Sequence, residues 1–352
     1  MGSTGMKQRA FEIEPSEHPA HGPLFSWVRT GKQETTILKA TLLVNILVGL
    51  ILLVPEIARG AETLQKIRIG FPSLAFSYMP FYVAKEKGPL KKYGLEAEYI
   101  QMRTTIQPQA VINGNINFFP SVSTGISAAV SGLPLVVVLS FCDGSPWVLV
   151  TSKEINKPQD LIGKKVAISG IRTSPHYFLL AALKKWEISE KDVGIITTGG
   201  TADSFTALAS NQVAGTVLTP PFDDKAVSLG FKKFMFLGDL ADIPYVGVVT
   251  SQAEIKNNRE IIRRTLAALM ESVAWLRANR AESAKMIADK FKVSQVEAEQ
   301  TYTTLIKILN KDGRLNPKIA RGYLDLLRQE RPIPADFDPQ KFLDFSMLPA
   351  GR

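Results

Sequence analysis

The sequence predicts an α/β protein made of two similar lobes, each alternating strands with helices, with their polar turns facing a shared cleft. Three observations carry this expectation. Short apolar runs rich in β-branched residues (IRIGF at 67–71, KVAIS at 165–169) are each followed by a polar turn and an amphipathic segment, the pattern of parallel sheets with crossover helices. The order of signals then repeats. QAVINGNINFFPSVSTGISAAVSGL and TALASNQVAGTVLTPPFDDKAVSLGF both read helix, Asn turn, strand, Pro turn, helix and Gly. Finally, apolar runs at 135–139 and 147–151, split by DGSP, and at 243–250 are placed to carry the chain across to the second lobe and back. The expected division is a first lobe of residues 66–150 plus 245–352 and a second of 151–244.

Residues 1–60 precede this pattern. Residues 40–54, ATLLVNILVGLILLV, hold no charge, follow Lys32 and Lys39, and stop at Pro55. The run is short for a membrane span and suits the apolar core of a secretory signal. Ala58 and Gly60 supply small residues for cleavage near Gly60, so export to the periplasm is expected; an uncleaved membrane anchor is the alternative. The polar first residues fit neither a signal nor a fold, and a start near Val28 gives the apolar run a short basic lead of ordinary length.

In the first lobe the strand at 67–71 leads through PSLAFSYMP to a helix at 81–87, closed by Gly88 and Pro89. A strand at 95–100, a helix near 108–112, a strand at 116–119, a Pro120 turn and a helix at 124–130 follow. In the second lobe the strand at 165–169 turns at 170–173 into a helix. Ser174 is expected to cap its free amides and Pro175 to occupy the first helical position, where a missing N–H costs nothing. Tyr177, Leu180, Ala181 and Leu183 sit at helical spacing, and Lys184 and Lys185 suit the electronegative end. A strand at 193–197, a helix at 203–209, a strand at 214–218 and a helix capped by Asp223 complete the repeat. After Glu254 the chain is helical to about residue 329, broken at Gly313 and Pro317, with apolar faces that need the first lobe's sheet to cover. A last helix is expected near Pro339.

Composition excludes several functions. The chain has 352 residues, 45% of them hydrophobic, ample for two lobes with real cores. Its formal net charge of +9 is scattered rather than gathered with aromatics, so no nucleic-acid partner is implied, only a mild bias toward anions. Cys142 is the single cysteine and His176 the single histidine after residue 60. No disulfide framework, metal cluster, HExxH, CxxC or GxSxG arrangement is available. No metal site, cofactor or catalytic residue is expected.

Four segments, FPSLAFSYMPFYVAKEKGPLKKYGLEAEYI, INGNINFFPSVSTGISAAVSGLPLVVV, DLIGKKVAISGIRTSPHYFLLAALKKWEIS and AGTVLTPPFDDKAVSLGF, in that order, resemble the extracytoplasmic solute-binding proteins of ABC importers. The branch they resemble is named for thiamine-pyrimidine synthesis proteins and includes sulfonate, taurine and nitrate binders. The resemblance runs from about Lys66 to the C-terminus. It implies a type II periplasmic-binding-protein fold, two Rossmann-like lobes closing on one small-molecule solute, and a monomer that docks to an ABC permease in the inner membrane.

The same resemblance implies that turns supply the pocket. They are Phe76, Ser77 and Tyr78 after the first strand, and Ser121, Ser123 and Thr124 after the third. The second lobe adds Arg172, Thr173, Ser174 and His176, then Pro221, Phe222 and Asp223. Each has a plain alternative: Tyr78 and Phe222 as core aromatics, Ser174, Thr124 and Asp223 as helix caps only, Arg172 as a solvent-facing side chain. The aromatics suit a flat heteroaromatic ring. Arg172, with its forked donors, and the helix N-termini suit an anion. A pyrimidine-synthase-like enzyme is the rival class, and a solute sensor without a transporter is a third.

Overall fold

The computed structural model describes residues 63–334 and 337–350; the expected signal segment lies outside them. The chain first runs β1 (Gln65–Phe71), α1 (Met79–Glu86), α2 (Pro89–Lys92), β2 (Leu95–Gln101), α3 (Gln107–Ile112), β3 (Phe119–Ser121), α4 (Val122–Val130) and β4 (Leu135–Ser140). It continues as β5 (Val148–Thr151), β6 (Lys165–Ile168), α5 (Ser174–Lys185), β7 (Gly194–Thr197), α6 (Thr201–Ala209), β8 (Gly215–Leu218), α7 (Phe222–Ser228) and β9 (Lys232–Phe236). Last come β10 (Val246–Ser251), α8 (Gln252–Asn257), α9 (Arg259–Ala278), α10 (Arg280–Phe291), α11 (Gln295–Ile308) and α12 (Pro317–Arg328). The expected final helix is a short 3-10 turn, Pro339–Phe342.

Two sheets follow one plan. β6 is flanked in parallel by β7 and β8, and β5 lies antiparallel to both β8 and β9, giving the order β7-β6-β8-β5-β9. β1 pairs in parallel with β2, and the Gly70 N–H donates to Phe118 O at 2.9 Å just before β3. β10 lies antiparallel between β3 and β4, so the corresponding order is β2-β1-β3-β10-β4. The β-branched runs are what each sheet buries: Ile67 and Ile69 in one, Val166 and Ile168 in the other. The sequence implied parallel sheets, and the exceptions have one cause. β5 and β10 are the strands that arrive from the other unit. They enter at the cleft, where the parallel strands end, and therefore run the opposite way. β9 is not signalled by the sequence, because KKFMF, two lysines followed by three apolar residues, belongs to a half-exposed edge strand rather than a buried one.

The two crossings lie side by side. Phe141 N–H donates to Val246 O at 2.8 Å, and Leu237 N–H to Trp147 O at 2.8 Å. The Trp147 and Tyr245 rings meet edge-on, with centroids 5.4 Å apart.

The long C-terminal helices differ from expectation in what they cover. α9 packs against α1 and α2 rather than directly on a sheet, held by Lys92–Glu271 at 2.7 Å and by Arg264 Nη1 donating to Tyr93 O at 3.2 Å. The sheet face was already taken by the shorter crossover helices, so the apolar stripe of α9, including Ile262, Leu266, Leu269 and Val273, closes a second helical layer.

Candidate functional site

Three helices of nine or more residues begin at or within a short turn of strand ends, and their first turns converge. α4 brings Ser121, Ser123 and Thr124; α5 brings Thr173, Ser174 and Pro175; α6 brings Gly200 and Thr201. Together with Ser169, Thr104, Ala75 and Tyr78, and with Trp147, Tyr245 and Val246 from the crossings, they enclose a cavity of about 40 Å³. Unpaired amides and the helix dipoles make such a junction electropositive without any cation. No Asp, Glu, Lys, Arg or His lines it. Its titratable groups are the phenols of Tyr78 and Tyr245, which burial pushes well above their ordinary range, so both stay neutral.

The two units touch across this cavity. Ser123 Oγ lies 2.8 Å from Ser174 Oγ. Ser174 also donates to Pro244 O at 3.3 Å, which leaves Ser123 as donor in the bond they share. Farther along the cleft, a Cβ on Gly200 would stand 2.4 Å from Ser73 Oγ and 2.5 Å from Ser73 Cβ, and one on Gly170 3.1 Å from Thr105 Cγ2. Two buried polar atoms at the cavity find no protein partner: Thr124 Oγ1 and the Trp147 indole Nε1. Leaving such groups unpaired costs about 1–3 kcal/mol each.

The structure separates the sequence-derived candidates. Tyr78, Ser121, Ser123, Thr124, Thr173 and Ser174 line the cavity. Phe76 and Ser77 are fully buried beside Tyr78 but do not line it. Phe222 packs between the Phe205 and Phe291 rings, with Pro221 preceding it as the N-cap of α7. Asp223 is not a helix cap. Its Oδ2 is 2.7 Å from Lys233 Nζ on the edge strand β9; burial raises its pKa and Lys233 opposes the rise. Ser174 is likewise no cap: Thr173 holds the N-cap position of α5, its hydroxyl donating to Gly170 O rather than accepting from a helix amide, and the Ser174 hydroxyl is committed across the cleft. Thr124 is the third residue of a helix that starts at Val122, so it too faces the cavity rather than capping.

Arg172 is exposed and lies outside the cavity lining. Its backbone is left-handed, with φ 61°, a conformation that costs a non-glycine residue roughly 1 kcal/mol. Arg172→Gly should therefore leave ligand affinity within about threefold and raise stability by up to about 1 kcal/mol. Titration calorimetry and melting curves check both, and a tenfold loss of anion affinity would return the anion seat to this side chain.

His176 is buried and also outside the lining. Its Nδ1 accepts the Arg172 N–H at 3.2 Å, which puts the ring proton on Nε2, 3.5 Å from Glu190 Oε1. Burial lowers its pKa, with Glu190 opposing. A second proton would set one N–H against another. Because the folded value lies below the unfolded one, the stability His176 contributes is complete above the ordinary imidazole value near 6.5 and is lost as pH falls through the lowered value. The melting temperature should drop between pH 7 and pH 5, and drop less in His176→Gln; equal drops would exclude this role.

Residues that sequence reasoning missed are Trp147, Tyr245, Thr104, Ser169, Gly200 and Thr201. Trp147 and Tyr245 sit in runs read as plain connecting strands, and Thr201 falls between the strand expected at 193–197 and the helix expected at 203–209. The doubled glycine before Thr201 was the available signal, since it permits close approach of another backbone.

Comparison with known proteins agrees with this architecture. The family described as NMT1/THI5 like matches residues 75–283. The taurine-binding periplasmic protein of Escherichia coli K12 is 26% identical over 216 residues, covering 60% of this chain and 59% of that protein. The riboflavin-binding protein RibY of Chloroflexus aurantiacus is 25% identical over 231 residues, covering 63% of this chain and 65% of that one. The chain thus spans about three-fifths of the length of the curated relatives it matches. The alkanesulfonate-binding protein SsuA from Xanthomonas axonopodis pv. citri, solved bound to MOPS, superposes with TM-score 0.66 at 17% identity, covering 79% of this chain and 97% of that one. The nitrate-binding protein NrtA from Synechocystis PCC 6803 gives 0.65 at 16% identity, covering 81% and 87%. The periplasmic-binding-protein fold that the resemblance implied is the fold of such structural neighbours, and the two-sheet architecture described above agrees with it. By fold, and by a sequence match that runs from the turn after β1 into α10, the chain belongs to the NMT1/THI5 like family.

Proposed function

We propose that this protein is the extracytoplasmic solute-binding component of an ABC importer, and that it closes its two units on a small solute with an oxyanion head. The observation that carries the ligand class is the pair of buried, partnerless groups, Thr124 Oγ1 and Trp147 Nε1, in a cavity walled by three helix N-termini and neutral hydroxyls. An acceptor-rich group such as a sulfonate, carboxylate or nitrate satisfies an indole N–H and free helix amides together. It needs no counter-cation when the dipoles are aimed at it. Relatives that bind taurine, alkanesulfonate and nitrate support the same class.

Tyr78, Trp147 and Tyr245 around the cavity favour a second reading, a flat heteroaromatic ring stacked between them. The riboflavin-binding relative keeps that reading in play. A thermal-shift series with taurine, methanesulfonate, nitrate, small carboxylates, a pyrimidine and riboflavin separates the two. At a hundred times its Kd a true ligand adds about 2.7 kcal/mol of stability. Stabilisation by oxyanions alone supports the first reading, and stabilisation only by neutral rings overturns it.

Export through the 40–54 segment, action in the periplasm as a monomer, and docking to an inner-membrane permease complete the proposal. No helix among the described residues is long and apolar enough to cross a membrane, which fits a domain working beside the membrane. The cavity has hydroxyls but no general base beside them, so ligand should be recovered chemically unchanged by mass spectrometry.

A further inference from the structure

α12 and the residues after it touch both units while being anchored to only one. Before α12, Asn310 Nδ2 donates to Ser140 O at 2.7 Å, at the end of β4, and the Ser140 N–H donates to Gly313 O at 2.8 Å. After it, Arg331 Nη2 donates to Ser127 Oγ on α4 at 2.7 Å and Nη1 to Ser127 O at 3.1 Å. The Asp344 N–H donates to Val137 O on β4 at 3.0 Å. Within α12, Tyr323 donates its hydroxyl to Ser123 O at 3.0 Å. All of these partners lie in the β2-β1-β3-β10-β4 unit.

The contacts to the other unit are fewer: Lys318 Nζ stands 4.0 Å from Asp242 Oδ2 in the second crossing, and one face of the segment meets α5. Tyr177 donates to Glu330 Oε2 at 3.3 Å and Lys184 Nζ to Gln329 Oε1 at 3.0 Å. The Tyr177 and Tyr323 rings meet edge-on with centroids 5.5 Å apart. Tyr177 is one helical turn below Ser174, whose hydroxyl reaches across the cleft, and Ser127 is one turn below Ser123. The segment therefore lies beside a place where a helix from each unit meets, as α7 and α10 do elsewhere through Phe222 and Phe291.

We propose that residues 317–331 form a strap fixed to the β10-containing unit that latches α5, and so sets how far the cleft stands closed before any ligand arrives. Rotation of the second unit about the crossings carries Tyr177 and Lys184 away from Glu330 and Gln329, while the Arg331, Asn310 and Tyr323 bonds lie within the first unit and stay unbroken. Weakening the first set biases the cleft toward the open arrangement. None of the latch residues Lys184, Gln329 and Glu330 lines the cavity, so their effect on closure is separate from ligand contact.

The test follows the unit-to-unit distance in ligand-free, full-length protein. Spin labels at Glu98→Cys on β2 and Lys191→Cys beyond α5 are both at exposed positions, and the buried Cys142 is shielded from labelling. Lys184→Ala with Tyr177→Phe removes the two hydrogen bonds and should raise the ratio of long to short distances roughly three- to tenfold. Lys184→Glu with Tyr177→Phe sets a carboxylate beside Glu330 and should raise it further, with circular dichroism unchanged. Lys184 is an exposed helix position, so Lys184→Glu alone still reports if Tyr177→Phe disturbs the core. A distance distribution identical to the parent in Lys184→Glu and in both doubles overturns the strap. Because no ligand is present, a wrong ligand class leaves this result standing.

Discussion

Gly200→Ala should weaken ligand binding roughly ten- to a hundredfold, although residue 200 need make no contact with the ligand. Gly200 has an extended backbone, φ −161°, that any residue adopts. The obstacle is the opposing wall, since a methyl there would stand 2.4 Å from Ser73 Oγ and 2.5 Å from Ser73 Cβ. A rotamer change moves the hydroxyl but not Cβ, so the two units must stand apart. Overpacking of this kind costs about 1–3 kcal/mol, and the cost falls on the closed arrangement alone. Gly200 is also the N-cap of α6, so a smaller loss in the ligand-free melting temperature is expected. The double variant Gly200→Ala/Ser73→Gly removes the opposing side chain and should recover most of the affinity while keeping the small stability loss. If the double variant binds no better than the single, the loss comes from the helix start and not from blocked closure.

Trp147 should show the largest combined effect of any cavity residue. It stands on the first crossing, its ring packs edge-on against Tyr245 of the second, and its indole nitrogen is buried at the cavity without a partner. Trp147→Phe keeps an aromatic ring against Tyr245 while deleting the donor and the second ring of the indole. Affinity for an oxyanion should fall about tenfold, the worth of one hydrogen bond to a charged group of about 1.5 kcal/mol. Trp147→Ala also empties the junction between the crossings, at a cost of about 3–5 kcal/mol of stability. Denaturant melts and calorimetry on the pair separate donor from packing. Unchanged oxyanion affinity in Trp147→Phe, with lost affinity for a neutral ring in Trp147→Ala, would transfer the assignment to the stacked-ring ligand.

The C-terminal strap adds a constraint to the same motion. Gly200 and Ser73 limit how closely the units approach, Trp147 and Tyr245 hold the crossings together, and Tyr177 with Lys184 opposes separation. Closure would then depend on all three before a solute contributes its own bonds.

Local chemistry was enough to locate most elements. The runs at 67–71 and 165–169 are strands because their β-branched residues are buried on a sheet, and Pro175 sits early in a helix because its missing N–H is harmless there. The duplicated order of signals was also sufficient to imply two similar units, since each unit repeats the same local choices. Strand direction was beyond it: β5 and β10 run against their neighbours because of where the chain crosses, a property of the path and not of the segments.

The site divided along the same line. Ser123, Thr124, Thr173 and Ser174 were named through the family resemblance and line the cavity, although hydroxyls beside a helix start serve as readily for capping. What those hydroxyls do was not legible. Ser174 looks like a cap in sequence, yet a serine from another unit stands 2.8 Å away and takes its bond. Arg172 carries the strongest local signal for an anion, but the left-handed turn leaves its side chain in solvent. Trp147 carries almost none and ends with its donor at the cavity. A side chain's chemistry is a local fact, whereas the direction it faces depends on contacts between residues far apart in the chain, and those are made only when the two units meet.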